Sequence, residues 1–173
     1  MVTLTGSTFT LRPYRYGDEQ SIAEQANNEK IYKPTLLIPY PYTLKEAKQW
    51  VERNVQLAKQ ESPEEMNFAI EVGGKAVGSI GLAHLVPGHK AEIGYWLGEE
   101  YWGKGIMTEA VKLLTQYAFE ELGLARVYAG CFAWNKASQA VLEKAGFQLE
   151  GIHKKGILKD GEFKDDYTYA KVR

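Results

Sequence analysis

The residues best suited to chemistry fall in one stretch, Leu97-Gly98-Glu99-Glu100-Tyr101-Trp102-Gly103-Lys104-Gly105-Ile106-Met107-Thr108-Glu109-Ala110. It joins a strand-like run to an amphipathic helical one. Gly103 and Gly105 let the backbone turn sharply and approach a ligand with no Cβ in the way. The first amides of the following helix have no intrahelical partner and lie at the positive end of its macrodipole. Such a turn suits an anion, a phosphate or diphosphate above all. A water-capped tight turn is the plainer alternative; placement at a strand-to-helix junction favours the phosphate. Two nucleotide patterns come close and fail. Gly98, Gly103 and Lys104 follow G-x-x-x-x-G-K-[ST] until Gly105 stands where a hydroxyl must meet Mg²⁺, and Glu99 and Glu100 add negative charge to the loop. No third glycine completes G-x-G-x-x-G.

The pattern of apolar residues supplies the elements that hold this turn. Phe9-Thr10-Leu11-Arg12-Pro13 reads as an edge strand, and Asp18 as the N-cap of a helix through about Asn27. Residues 32–43, with Pro34, Pro39, Pro41, Tyr32, Tyr40 and Tyr42, read as an aromatic loop. Thr43 and Glu46 form a capping box opening a helix to about Gln60. Residues 68–72 and 76–82 around Gly73-Gly74 make a hairpin, and residues 91–97 a further strand. A helix is expected over 105–122, a strand over 126–132, a short helix over 136–145, and a last hairpin around Asp160-Gly161. Short turns imply antiparallel neighbours, and the long helix after Leu97 a crossover between parallel ones. The expected class is α+β: a mixed, mostly antiparallel twisted sheet of about seven strands with about four helices.

The chain has 173 residues, 45% of them hydrophobic, and its 21 basic and 22 acidic side chains nearly cancel. That is the mix of one globular domain, residues 1–173, whose core needs no metal or disulfide. The charge balance excludes a strongly basic footprint for nucleic acid. No apolar run approaches the ~18 residues of a membrane span, and the first residues lack a secretory apolar stretch. The single Cys131 fits a reducing cytosol, so the expected location is cytoplasmic. His84, His89 and His153 are scattered without zinc spacing, and no metal is expected. Cys131 reads as a small buried residue with no histidine placed to activate it.

Tyr101-Trp102-Gly103-Lys104-Gly105-Ile106-Met107-Thr108-Glu109-Ala110 resembles the pyrophosphate loop of the GNAT acetyltransferases, the likeness being to the ribosomal-protein N-terminal (alanine/serine) acetyltransferase branch. The superfamily pattern [QR]-x-x-G-x-[GA] is departed from at Trp102 and Met107, which leaves phosphate binding mainly to the amides. Asn135-Lys136-Ala137-Ser138-Gln139-Ala140-Val141-Leu142-Glu143-Lys144-Ala145-Gly146-Phe147 resembles the N-x-x-S-x-x-[VL]-[LA]-x-K-x-G-F segment of the same branch. The strand Ala91-Glu92-Ile93-Gly94-Tyr95-Trp96-Leu97 and the short Leu11-Arg12-Pro13 add to the likeness, which covers essentially the whole chain.

The resemblance implies an N-acetyltransferase with acetyl-CoA as cosubstrate. Trp96, Leu97, Gly103, Lys104, Gly105, Ile106, Met107, Thr108 and Asn135 would bind the cofactor, with strands diverging after Trp96 and Leu97 to pair with the pantetheine. It puts a general base at Glu92, an acid at the head of an apolar strand that would otherwise be a solvated carboxylate. Asn135 reads equally as a helix cap. Many GNAT enzymes carry a tyrosine seven residues after this asparagine; here that residue is Leu142, so Ser138 is the expected proton donor to the thiolate. Tyr32, Tyr40 and Tyr42, with nearby carboxylates such as Asp165 and Asp166, are expected to receive a cationic acceptor by cation–π contact, or else to cover a sheet edge. The acceptor is a primary amine, a protein N-terminus or a small molecule; a homodimer is left open. A non-catalytic acyl-CoA-binding regulatory module is the alternative.

Overall fold

The computed structural model describes residues 2–60 and 64–173. Among the described residues, eight strands form one sheet and five α-helices pack on its faces. The chain runs β1 (Leu4–Thr5), β2 (Thr10–Arg12), α1 (Glu19–Ala26), α2 (Glu29–Tyr32), α3 (Leu44–Leu57), β3 (Met66–Val72), β4 (Lys75–Val86) and β5 (Lys90–Leu97). A 3-10 turn, Glu99–Tyr101, leads into α4 (Ile106–Glu120), followed by β6 (Arg126–Phe132), α5 (Lys136–Lys144), β7 (Gln148–Lys159) and β8 (Glu162–Val172).

The mixed α+β class is as expected, with two elements added. β1 is two residues long, too short to carry a period, and it covers β2, which is therefore not the edge strand. α2 is one turn capped by the Asn28 side chain, which accepts from the Lys30 N–H. It takes Tyr32 out of the expected loop. α1 does start after Asp18, but the Asp18 side chain does not cap it. It is buried and accepts from both terminal nitrogens of Arg12, at 2.8 and 2.7 Å. A buried guanidinium demands a carboxylate more urgently than a helix end open to water does. The capping box of α3 is present, with Glu46 accepting the Thr43 N–H at 2.9 Å, and the helix ends at Leu57. Both tight hairpins have the paired positive φ of type I′ turns: 57° and 82° at Gly73-Gly74, 52° and 77° at Asp160-Gly161.

The sheet order is β1-β2-β3-β4-β5-β6-β8-β7. Every adjacent pair is antiparallel except β5 with β6, which α4 connects as a crossover. Alternation along the strands divides the sheet into two faces. One packs Ile93, Leu97, Val127 and Cys131 against α4 and α5. The other packs Tyr14, Ala69 and Trp96 against α1 and α3.

Candidate active site

The parallel pair is where the sheet comes apart. β5 and β6 are in register only at Lys90↔Arg126, Ala91↔Val127 and Glu92↔Tyr128. Beyond that, β5 stays on β4 as far as Gly78↔Leu97, while β6 stays on β8 as far as Phe132↔Asp166. One edge of residues 93–97 is thus left without a strand. The wedge opens after Glu92, earlier than the expected divergence after Trp96 and Leu97, and both of those residues lie inside it. Gly78 explains the lean of β5 towards β4. A Cβ there would stand 2.6 Å from the Trp96 carbonyl oxygen, so only glycine allows so close an approach. The wedge holds a cavity of about 670 Å³. Of the residues singled out from sequence, Trp96, Leu97, Gly103, Gly105, Ile106, Met107, Thr108, Asn135 and Ser138 line it; Glu92, Lys104, Tyr32, Tyr40 and Tyr42 do not.

At one end the cavity meets the start of α4. Gly105 caps that helix with φ 79° and no side-chain hydrogen bond, so the Ile106, Met107 and Thr108 amides have no intrahelical acceptor. A Cβ on Gly103 or Gly105 would meet no protein atom within 4 Å; the space beside them is open. The acidic residues of the loop, Glu99 and Glu100, and Glu109 in the first turn of α4 are all turned elsewhere. Glu99 is bound to Lys30 and to Asn28, Glu100 accepts from Gln25 at 2.8 Å, and Glu109 accepts the Ser7 N–H at 2.7 Å. The Trp102 ring N–H is bound to the Leu97 carbonyl at 2.7 Å and ties the turn to the strand end. Lys104 points over the Tyr101 ring, 5.3 Å from its centroid. What faces the cavity here is backbone N–H, positive by dipole, which fits a diphosphate.

The α5 wall carries one hydroxyl, that of Ser138. Asn135 does cap α5, accepting the Ser138 N–H at 3.2 Å, and also lines the cavity. Ser138 Oγ lies 2.8 Å from the hydroxyl of Tyr95 on β5. Tyr95 was legible as part of a strand but not as a neighbour of Ser138, since only the fold brings the two together. Trp134, stacked on Phe132 at 5.5 Å, is a further exposed aromatic in the cavity wall that sequence reasoning passed over. Cys131 lines the cavity, and burial pushes its thiol up to about 11, so it is a neutral thiol.

Glu92 sits at the apex of the wedge on the opposite face, with Trp96. Its Oε1 is 3.9 Å from where a Cβ on Gly130 would be, so the carboxylate leans over the bare backbone of the diverging strand. His84 reaches it from an irregularity in β4: Nε2 is 3.8 Å from Glu92 Oε2, and His84 has a positive φ of 51°. Bulges commonly re-aim a side chain in this way.

The three tyrosines expected at the acceptor site are placed differently. Tyr42 is buried among the α1 and α3 side chains, and burial together with Glu46 pushes its hydroxyl up to about 12; it is a core residue. Tyr32 donates to Asp160, and the ammonium of Lys159 already stands 3.8 Å over its ring. The cation–π seat is filled from within the chain. Tyr40 is exposed and lies 5.8 Å from Tyr32. Asp165 is bound by Lys154 and Asp166 by His153, each at 2.9 Å.

A mixed sheet split at its one parallel pair, with bare amides at one end of the split, makes a cleft for an elongated ligand that carries a diphosphate. The acetyltransferase (GNAT) domain model matches residues 8–148. The chain is 36% identical over 175 residues to "Probable N-acetyltransferase YjcK" of Bacillus subtilis (strain 168), covering 96% of this chain and 95% of that protein. It is 32% identical over 106 residues to the ribosomal-protein-serine acetyltransferase of Escherichia coli (strain K12), covering 61% and 59%. The crystal structure of the microcin C7 self-immunity acetyltransferase MccE in complex with acetyl-CoA and AMP superposes with a TM-score of 0.87 at 25% identity, over 97% of this chain and 94% of that one. The chain belongs to the GNAT family of acetyltransferases. It is an acyltransferase with acetyl-CoA as cosubstrate.

Proposed function

We propose that the protein transfers the acetyl group of acetyl-CoA to a primary amine, a protein N-terminal α-amine or a small-molecule amine of low pKa, by direct attack. The observation that carries this reading is the continuous cavity from the free amides of α4 to Ser138, with Glu92 at the wedge apex. Acetyl-CoA, when bound, supplies an acyl group already activated as a thioester. Glu92, directly or through a water, takes the proton that the amine must lose. The free edge of residues 93–97 offers backbone N–H groups to the acyl oxygen. Ser138 gives its hydroxyl hydrogen to the sulfur as the C–N bond forms and the C–S bond breaks, and Oγ regains one from water.

Amine pKa selects among acceptors. At pH 7 an α-amine of pKa ~8 is about 10% neutral, a lysine of pKa ~10.4 only about 0.04%. A carboxylate base such as Glu92 is matched to the former, and the relatives named for ribosomal-protein acetylation lean the same way. Gly94 and Gly130, one on each diverging strand, both line the cavity and have no need of glycine for their φ. Their bare backbones leave room for the amine to enter beside Glu92. A reducing cytoplasm, expected from the unpaired Cys131, fits this reading. The test is mass spectrometry of peptides and amines incubated with the protein and acetyl-CoA, with thiol release followed in parallel. Acetylated α-amines are expected; CoA binding without thiol release from any amine leaves the regulatory module instead.

A further inference from the structure

The contact between Tyr95 and Ser138 has no part in the chemistry above, yet it spans the wedge. The residues are 43 positions apart, one on β5 and one in the first turn of α5, and their hydroxyl oxygens are 2.8 Å apart. The Ser138 carbonyl lies 3.4 Å from the phenol oxygen, and the Cys131 thiol is a further neighbour that acts on it. The Tyr95 ring is half-open to the cavity, while its hydroxyl end is enclosed, and burial pushes its pKa well above the ordinary tyrosine value. The phenol therefore keeps its hydrogen and is a donor at neutral pH. Ser138 is held on its other side, where Asn135 accepts its N–H at 3.2 Å. A serine hydroxyl has one hydrogen and rotates to suit its neighbours. When Tyr95 donates to Oγ, that hydrogen is turned away from Tyr95, and the cavity that both residues line is open to it. Leu142, wholly buried in the core, has no hydroxyl to offer from the helix.

We propose that Tyr95 is a positioning residue of the acyl-transfer site: its phenol donates to Ser138 Oγ, aims the serine hydrogen at the coenzyme sulfur, and stabilises the charge that builds on Oγ as that hydrogen leaves. This rests on the reading of Ser138 as donor to the sulfur. The hydrogen on Oγ passes to sulfur as the C–S bond breaks, Tyr95 retains its own, and water restores the one on Oγ.

The test needs neither acceptor nor turnover. The full chain is loaded with CoA, and ionisation of the bound thiol is followed by thiolate ultraviolet absorbance against pH, with the desulfo-CoA complex as reference. A donor aimed at sulfur favours the thiolate and lowers the midpoint. Ser138→Ala is expected to raise it by about one pH unit and Tyr95→Phe by about half a unit, the worth of one hydrogen bond or less. Adding Tyr95→Phe to Ser138→Ala should move it no further, because Tyr95 acts through Oγ; loose packing alone would add a second shift. Movement with Ser138→Ala but none with Tyr95→Phe overturns the role of Tyr95 and leaves Ser138 as read. No movement with either overturns both. Should Tyr95→Phe fail to bind CoA, Tyr95→3-fluorotyrosine keeps the ring and strengthens the donor; the midpoint should then fall, and an unmoved or raised midpoint overturns the proposal.

Discussion

The two sides of the cleft treat their polar groups in opposite ways. On the cofactor side the Ile106, Met107 and Thr108 amides have no intrahelical acceptor, and one edge of residues 93–97 has no strand beside it. At the rim between α2 and the β7–β8 hairpin, the groups are matched among themselves. Tyr32 is bound to Asp160, Lys159 donates to the Thr35 carbonyl at 2.9 Å, and Asp165 accepts the Lys155 N–H at 2.8 Å. Polar groups in a folded chain are nearly always partnered, so a row of free amides facing a cavity is a site held ready for a ligand. Matched groups at a rim hold two elements together instead. The lesson is that the fold leaves backbone free where a ligand can be held and matches side chains to one another where two elements meet.

That contrast predicts the largest damage where backbone is exposed. Gly105→Val should be the most harmful single change, since it puts a β-branched residue at φ 79° and fills space beside the free amides. CoA affinity by calorimetry is expected to fall roughly 100-fold, the scale of one or two lost charge-assisted contacts. Unchanged affinity would break the comparison at its stronger side. Glu92→Gln is expected to lower kcat by about 100-fold and Ser138→Ala by about 10- to 100-fold, both leaving the Kd for acetyl-CoA within about twofold. Full turnover in either variant removes that residue from the mechanism. Gly130→Val is gentler: its backbone lies in ordinary strand space, and the new Cβ meets only Glu92 at 3.9 Å. It should raise the acceptor KM about tenfold with no effect on CoA affinity. Loss of CoA binding as well would show that the wedge is one undivided site.

How far these positions were legible depended on whether they act locally. The turn around Gly103 and Gly105, the cap at Asn135 and the Asp160-Gly161 hairpin are short-range features, and residue type and spacing located them. β1 went unread because two residues carry no period, and α2 because one turn capped by Asn28 looks like any Asn-containing loop. The contact of Tyr95 with Ser138, the early opening of the wedge after Glu92 and the occupation of Tyr32 by Lys159 are long-range events with no local signature. Tyr42 was misassigned for a related reason. A tyrosine in a proline-rich stretch reads as exposed, but here the chain folds it back beneath α1 and α3. Glu99 and Glu100 show the reverse error: their charge counts against a phosphate loop only until Lys30, Asn28 and Gln25 are seen to draw it aside.

The smallest effect is expected from Lys159→Ala, and it bears on the rim alone. Lys159 stands 3.8 Å over Tyr32 and reaches the Thr35 carbonyl, so its loss costs one part-exposed cation–π contact and one hydrogen bond. Those sum to about 1 kcal/mol, a fall in Tm of about 2–4 °C for a chain of this size. CoA affinity should not move, because no atom of Lys159 lines the main cavity. The acceptor KM separates two accounts of the rim. If Lys159 and Tyr32 merely brace the hairpin against α2, the KM for an α-amine peptide changes less than about threefold. If instead the lysine holds a seat that an acceptor cation must win, emptying it lowers the KM by tenfold or more, and the rim becomes a gated binding surface rather than a closed one.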